Sequence, residues 1–261
     1  MLVSKQYMIY KLCAFLILSF TACIGAEASK TVRVLAWSER TEPKDVYPQG
    51  INGQLAAFLG ADGDVKVTVA NLADPEQGLS EEMLKQTDVL IWFGHKNHAL
   101  VTDENVERIM KHVRDRGMGF LPLHSAHYAK PFQRIMKTIA FDRGKPLEGT
   151  PGKWGKVANS GASETIHIAA PGHPIAKGVK DFEIPKTEVY WNPFLVPTPD
   201  VNILEGRYTN DMQDGNDGLL WKFGKGKIFY FRPGHETYPI YFQPEVQLIL
   251  KNAVRFLALA E

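Results

Sequence analysis

Four short apolar runs, separated by helix-forming stretches, restrict what this chain can fold into. They are TVRVLAW at 31–37, VKVTV at 65–69, DVLIWF at 88–93 and GFLPL at 119–123. Each has the length of a strand, and most are rich in β-branched or aromatic residues. Helix signals lie between them. GQLAAFL at 53–59 stops at Gly60, and Ser80 is followed by Glu81 and Glu82, acids that suit a helix start. An amphipathic stretch at 103–116 has Thr102 as its cap and Gly117 as its stop. Strands alternating with helices build a parallel sheet covered on both faces, and near-continuous apolar runs are what such strands require. The expected fold is therefore α/β, with a doubly wound, mainly parallel sheet.

The pattern changes after residue 140. Residues 145–160 are rich in Gly, Pro and Lys and read as a loop. ETIHI at 164–168, TEVYW at 187–191 and residues 201–205 read as short antiparallel strands, and 210–218 as a polar turn. Residues 218–223 and 227–231 form a hairpin-like pair around Gly224-Lys225-Gly226, and 245–259 is a closing helix. This region is expected to be a small antiparallel insertion in the sheet.

The first residues have a different character. Lys5 and Lys11 precede an apolar stretch at 12–25, and Ala26-Glu27-Ala28 follows as a small-x-small cleavage site. The expectation is a signal peptide over 1–28, a single domain over 31–261 and a periplasmic or extracellular location. Phe20-Thr21-Ala22-Cys23 also resembles a lipobox, so the alternative is a lipid anchor to the membrane at Cys23. Cys13 and Cys23 are the two cysteines, so the expected mature domain has neither a disulfide nor a thiolate nucleophile. With 30 basic and 29 acidic residues, the chain lacks the basic footprint of a nucleic-acid binder.

Candidate chemistry gathers at the strand ends. His95 and His98 follow the third run, His124 and His127 follow the fourth, and His235-Glu236 follows KIFYF. Ligands of open α/β sheets bind beyond the carboxyl ends of the strands, and neighbouring strands lie ~4.8 Å apart, so these imidazoles can converge. Histidine suits both proton transfer near neutral pH and metal ligation. The two H-x-x-H pairs are not the metalloprotease H-E-x-x-H. Each histidine can equally cap a helix or bond a carbonyl. Ser125 lies near a strand–turn–helix elbow, but Leu123 and Tyr128 replace the small flanks that a G-x-S-x-G elbow needs. It reads as a helix cap whose N–H can join an anion site. Glu188 and Tyr190 share a strand face, and burial would poise Glu188 as an acid or base. Trp37, Trp92, Trp191 and Tyr238 are candidate sugar-stacking faces. His112 is expected in solvent, and His173 at a turn.

WFGHKNHALV, MGFLPLHSAHYAKPF, GHPIAKGV, TEVYW and GKIFYFRPGHETYP, in this order, resemble the ThuA-like (trehalose utilization) family over residues 32–257. The resemblance implies a class I glutamine amidotransferase-like, flavodoxin-like fold and a role in catabolism of trehalose-like sugars, near oxidoreductases that make keto-sugars. In amidotransferases the elbow carries cysteine and a distal strand supplies His and Glu. Here His124-Ser125 holds the elbow and His235-Glu236 the distal position, so glutamine hydrolysis by a thiolate is excluded. Ala99-Leu100 stands where the family has small or acidic residues, so no carboxylate role carries over there.

The expected function is an exported enzyme acting on a keto-sugar or glycoside by proton abstraction, as an isomerase or lyase. His124, His235, Glu236 and Glu188 would be catalytic, and Ser125, Tyr190, Tyr238 and Trp37 would bind substrate. His95, His98 and His127 would hold a zinc-like divalent metal, with no nucleotide cofactor. The alternative is a non-catalytic sugar- or partner-binding protein on the same fold.

Overall fold

The computed structural model describes residues 31–208 and 211–259. The expected signal segment, residues 1–28, lies outside the described residues. No helix among the described residues is long and apolar enough to cross a membrane.

Nine strands form one sheet, in the order β2-β1-β3-β4-β9-β8-β7-β5-β6. Strands β1 (Val32–Ser38), β2 (Val65–Asn71), β3 (Val89–Phe93), β4 (Gly119–Leu123) and β9 (Gly226–Phe231) pair in parallel. In chain order their arrangement is 2-1-3-4-5, that of flavodoxin-like sheets. Side chains alternate across this half. Val34 and Ala36 of β1 join a core with helices α1 (Gly50–Leu59) and α5 (Pro244–Leu257), while Leu35 and Trp37 face the opposite way. That second core takes α2 (Glu81–Lys85), α3 (Asp103–Lys111) and α4 (Lys130–Asp142). Ser80 and Thr102 cap α2 and α3 as expected, and α3 runs on through a π-helical turn, His112–Arg116, to Gly117 in a left-handed conformation.

The other half corrects the expectation of a small insertion. Strands β5 (Trp154–Ile168), β6 (Phe182–Phe194), β7 (Val201–Tyr208) and β8 (Asp211–Phe223) are antiparallel and continue the same sheet through the β8–β9 pair. The sheet is mixed rather than mainly parallel. The Gly- and Lys-rich stretch read as a loop holds the start of β5, and the polar stretch read as a turn extends β8. Ladder hydrogen bonds and bulges stabilise these segments where side-chain pattern gives no strand signal.

Two features of this architecture build the site. Phe93, Leu123 and Phe231 lie level with one another at the carboxyl ends of β3, β4 and β9. The sheet also curls, so β6, last in the order, returns to the segment after β9: Glu188 N–H donates to the Gly234 carbonyl at 3.4 Å.

Candidate active site

His124 follows β4 directly and takes a left-handed backbone, φ 48°. It, not Ser125, occupies the strained position of the strand–turn–helix elbow. His235 is also strained, at φ 132°. Such conformations cost about 1–3 kcal/mol each in a non-glycine residue and persist where surrounding contacts fix them. Those contacts are specific. His124 is fully buried, its Nδ1–H donates to the Arg232 carbonyl at 2.9 Å, and its own carbonyl accepts from Tyr230 Oη at 2.9 Å. Gly234 presses against it so closely that a Cβ there would lie 2.5 Å from His124 Cβ.

The opposite edge of the ring faces β6. His124 Nε2 is 2.9 Å from Glu188 Oε2 and 3.2 Å from Tyr190 Oη, which donates to the same carboxylate oxygen at 3.1 Å. Burial disfavours ionised Glu188. The hydrogen bond and charge of His124, the charge of His235 and the Tyr190 hydrogen bond outweigh it, holding the carboxyl down at about 2, which corrects the expectation that burial would set its acidity. With an ionised carboxylate on one side and a carbonyl on the other, both ring nitrogens of His124 act as donors. Geometry thus makes His124 and Glu188 an imidazolium–carboxylate pair.

His95 and His235 stand beside this pair. Ring centroids are 4.8 Å apart for His95–His235, 5.9 Å for His124–His235 and 6.4 Å for His95–His124. Ser125 Oγ donates to the Gly94 carbonyl at 2.7 Å, so it accepts from His95 Nδ1 at 3.0 Å. Glu236 Oε2 lies 3.2 Å from the same nitrogen, and Lys96 Nζ lies 3.3 Å from Glu236 Oε1. His235 Nδ1 meets Thr237 Oγ1 at 2.7 Å and the Thr237 N–H at 3.2 Å. Burial lowers the proton affinity of both rings, most strongly countered at His95 by the charge of Glu236. The Tyr238 ring lies 5.7 Å from His235 and is half-buried.

Three expected participants are placed elsewhere. His127 Nδ1–H donates to the Gly152 carbonyl at 2.6 Å, and its ring is packed among Tyr128, Trp154, Tyr190, Phe194 and Tyr230. Burial holds it neutral, with its proton affinity well below the usual imidazole range. His98 turns towards Glu39, 3.6 Å away. The ligand set His95, His98 and His127 is therefore not assembled. Among the described residues, the histidine–carboxylate group whose ligand atoms lie within 4.8 Å of one another is His95, His235 and Glu236. Trp37 is fully buried against Trp92, with centroids 3.8 Å apart, and its indole N–H donates to the Gln77 carbonyl, so it offers no face to a sugar. Away from the site, His112 is buried rather than solvated, accepting from Arg116 Nε at 3.0 Å.

Two supports had no sequence signal. Glu39 Oε2 accepts three consecutive backbone N–H groups, from His95, Lys96 and Asn97, at 3.0, 2.8 and 2.8 Å, and so fixes the loop that carries His95. Arg232, fully buried, is ion-paired with Asp217 and lies against the Glu164 carboxyl, and its Nη1 donates to the Glu188 carbonyl at 3.0 Å. Arg232 thereby ties the carbonyl that orients His124 to the strand that carries Glu188.

A flavodoxin-like parallel order with a histidine–carboxylate cluster at its carboxyl edge defines an α/β protein whose chemistry sits in the loops after β3, β4 and β9. The chain belongs to the ThuA family, described as trehalose utilisation, whose model matches residues 33–257. That membership associates it with carbohydrate metabolism. A comparison with curated protein sequences returns no match. Among solved structures, a ThuA-like protein from Bacteroides uniformis has a TM-score of 0.62 at 16% identity, with 88% of this chain and 92% of that chain covered. Two proteins of Salmonella typhimurium, both described as cytoplasmic, have TM-scores of 0.57 at 16% and 11% identity. They cover 88% and 87% of this chain and 100% and 99% of their own. At these identities the likeness concerns the fold.

Proposed function

We propose that this chain is a carbohydrate-catabolic enzyme that removes a proton next to the carbonyl of a keto-sugar or keto-glycoside. The observation that supports this most is the convergence of His95, His124 and His235, with ring centroids no more than 6.4 Å apart, on the Glu188 ion pair. Family membership supports a carbohydrate substrate.

In this reading the carbonyl oxygen lies on the side of His95 and His235, and the carbon-bound proton faces Glu188. The carboxylate takes the proton and the electron pair moves onto the oxygen; because pairing with His124 and Tyr190 makes Glu188 a weak base, the step depends on stabilisation of the oxygen's charge by the groups around it. Proton arrival leaves the Glu188–His124 pair with a net positive charge beside the enediolate, where it stabilises the developing anion. Passage of the neighbouring hydroxyl's proton to the enediolate oxygen and return of the abstracted proton from Glu188 to the former carbonyl carbon complete an isomerisation. Expulsion of a glycosidic oxygen from the carbon beyond the deprotonated one, leaving with the proton that Glu188 took, re-forms the carbonyl and completes an elimination. Tyr190 orients Glu188, and Tyr238 offers a half-buried face for the sugar ring.

The amino-terminal sequence supports export, either with cleavage after Ala28 or with a lipid on Cys23. The catalytic reading is tested by NMR of keto-trehalose and related keto-glycosides incubated with the protein. Turnover is expected for wild type and should fall about 10²–10⁴-fold in Glu188→Gln and His124→Asn. Asparagine suits the left-handed backbone at 124. Stoichiometric binding without turnover would instead indicate a sugar-binding protein.

A further inference from the structure

The oxygen side of the site has features of a metal centre beyond its list of donors. His95 presents Nδ1 to Ser125 Oγ, a hydroxyl already committed as a donor to the Gly94 carbonyl. His235 presents Nδ1 to Thr237 Oγ1 at 2.7 Å. Metal-bound imidazoles characteristically pass their second ring N–H to an oxygen acceptor, which fixes tautomer and orientation. Glu236 is 2% exposed, and its Oε2 has no hydrogen-bond partner although it lies 3.2 Å from His95 Nδ1. A buried carboxylate oxygen without a partner is costly unless a cation satisfies it. Lys96 balances part of that charge from 3.3 Å, on a side chain 59% exposed and so placed to swing away.

We propose that His95, His235 and Glu236 bind one divalent transition-metal ion of the zinc class. Two imidazole nitrogens and one carboxylate oxygen match the two-histidine, one-glutamate pattern of catalytic zinc sites, which leaves a position open. Nitrogen donors disfavour magnesium and calcium. The Thr237 N–H donates to His235 Nδ1 at 3.2 Å, which makes that nitrogen an acceptor in this structure. Ion binding at Nε2 requires the hydrogen to move to Nδ1, with Thr237 Oγ1 as its acceptor. The open position would receive the carbonyl oxygen and a neighbouring hydroxyl of the sugar. That last assignment rests on the keto-sugar reading, whereas ion binding stands on the geometry alone.

The test is Zn²⁺ titration of the chelator-stripped protein by calorimetry, with thermal unfolding followed in parallel. One equivalent per chain and a raised unfolding midpoint are expected. Both should be lost in His235→Ala and Glu236→Gln and kept in His98→Ala. Ser125→Ala should weaken binding about 10–100-fold through the second ring nitrogen of His95. Lys96→Met should tighten it by removing a competing cation. As a measure on wild type alone, Co²⁺ should give the intense visible bands of a low-coordinate nitrogen–oxygen site. Sub-stoichiometric binding, binding unchanged in Glu236→Gln and His235→Ala, or featureless Co²⁺ spectra would overturn the inference. Zinc binding without keto-sugar turnover would leave the metal site standing and remove the catalytic reading. Turnover without zinc binding would do the reverse.

Discussion

His124 is the residue on which the site turns, and its neighbours show what the position demands. Its ring is held between the Arg232 carbonyl and Glu188, and its backbone sits in a left-handed region against Gly234. Gly234→Ala would place a methyl 2.5 Å from His124 Cβ, so the ring or the segment after β9 must shift. Turnover is expected to fall at least about tenfold in a protein that still folds, because misplacement of even 1 Å at reacting groups can cost 10²-fold. Steady-state kinetics alongside circular dichroism check this. The strained backbone also explains which site residues were legible in the sequence. Imidazoles directly after strands, and the alternating pair Glu188 and Tyr190, could be read from position and period. His127 could not be placed, because two histidines three residues apart share a face only on a helix, and His124 is not helical. At φ 48° the two rings diverge, one to Glu188 and the other to the Gly152 carbonyl. Glu39 gave no signal because its partners are backbone groups, which every residue carries.

At the scale of elements, the parallel half was legible because burial on both faces forces continuous apolar strands. The antiparallel half was legible in part: 164–168, 187–191, 201–205 and 218–223 read as strands and lie within β5, β6, β7 and β8, but their full extent was hidden, because β5 and β8 contain glycines and polar residues in lengths that only pairing with neighbours stabilises. Its role was equally hidden: β6 returns to the segment after β9 through curvature of the whole sheet. The buried cluster of Arg232, Asp217 and Glu164 joins β9, β8 and β5 and fastens this return. Burial drives the Glu164 carboxyl up to about 8, against the opposing charge of Arg232 and with the repulsion of Asp217. An acid that holds its proton more tightly in the folded than in the unfolded chain stabilises the fold while protonated. The contribution is whole below the ordinary value of 4.5 and disappears as the pH rises through about 8. Denaturant titrations should therefore show stability declining over that window. Glu164→Gln, which keeps a neutral side chain at every pH, should flatten the decline.

At the scale of the molecule, three adjacent parallel strands deliver His95, His124 and His235 to one edge, and a curled antiparallel wing delivers Glu188 and Tyr190 to the same place. Within this cluster the His95 side chain keeps 22% of its exposure, and Tyr238, beside His235, is half-buried. The fold alone would permit a binding protein. What favours catalysis is the ion pair aimed at a cluster of imidazoles, because simple sugar binding needs no strained histidine at the elbow. The most direct measurement is exchange of solvent deuterium into a keto-glycoside, followed by NMR. Wild type should place deuterium at the carbon next to the carbonyl, and Glu188→Gln and His124→Asn should abolish the exchange. Absence of exchange into a bound keto-glycoside, or exchange at the wild-type rate in both variants, would contradict the account.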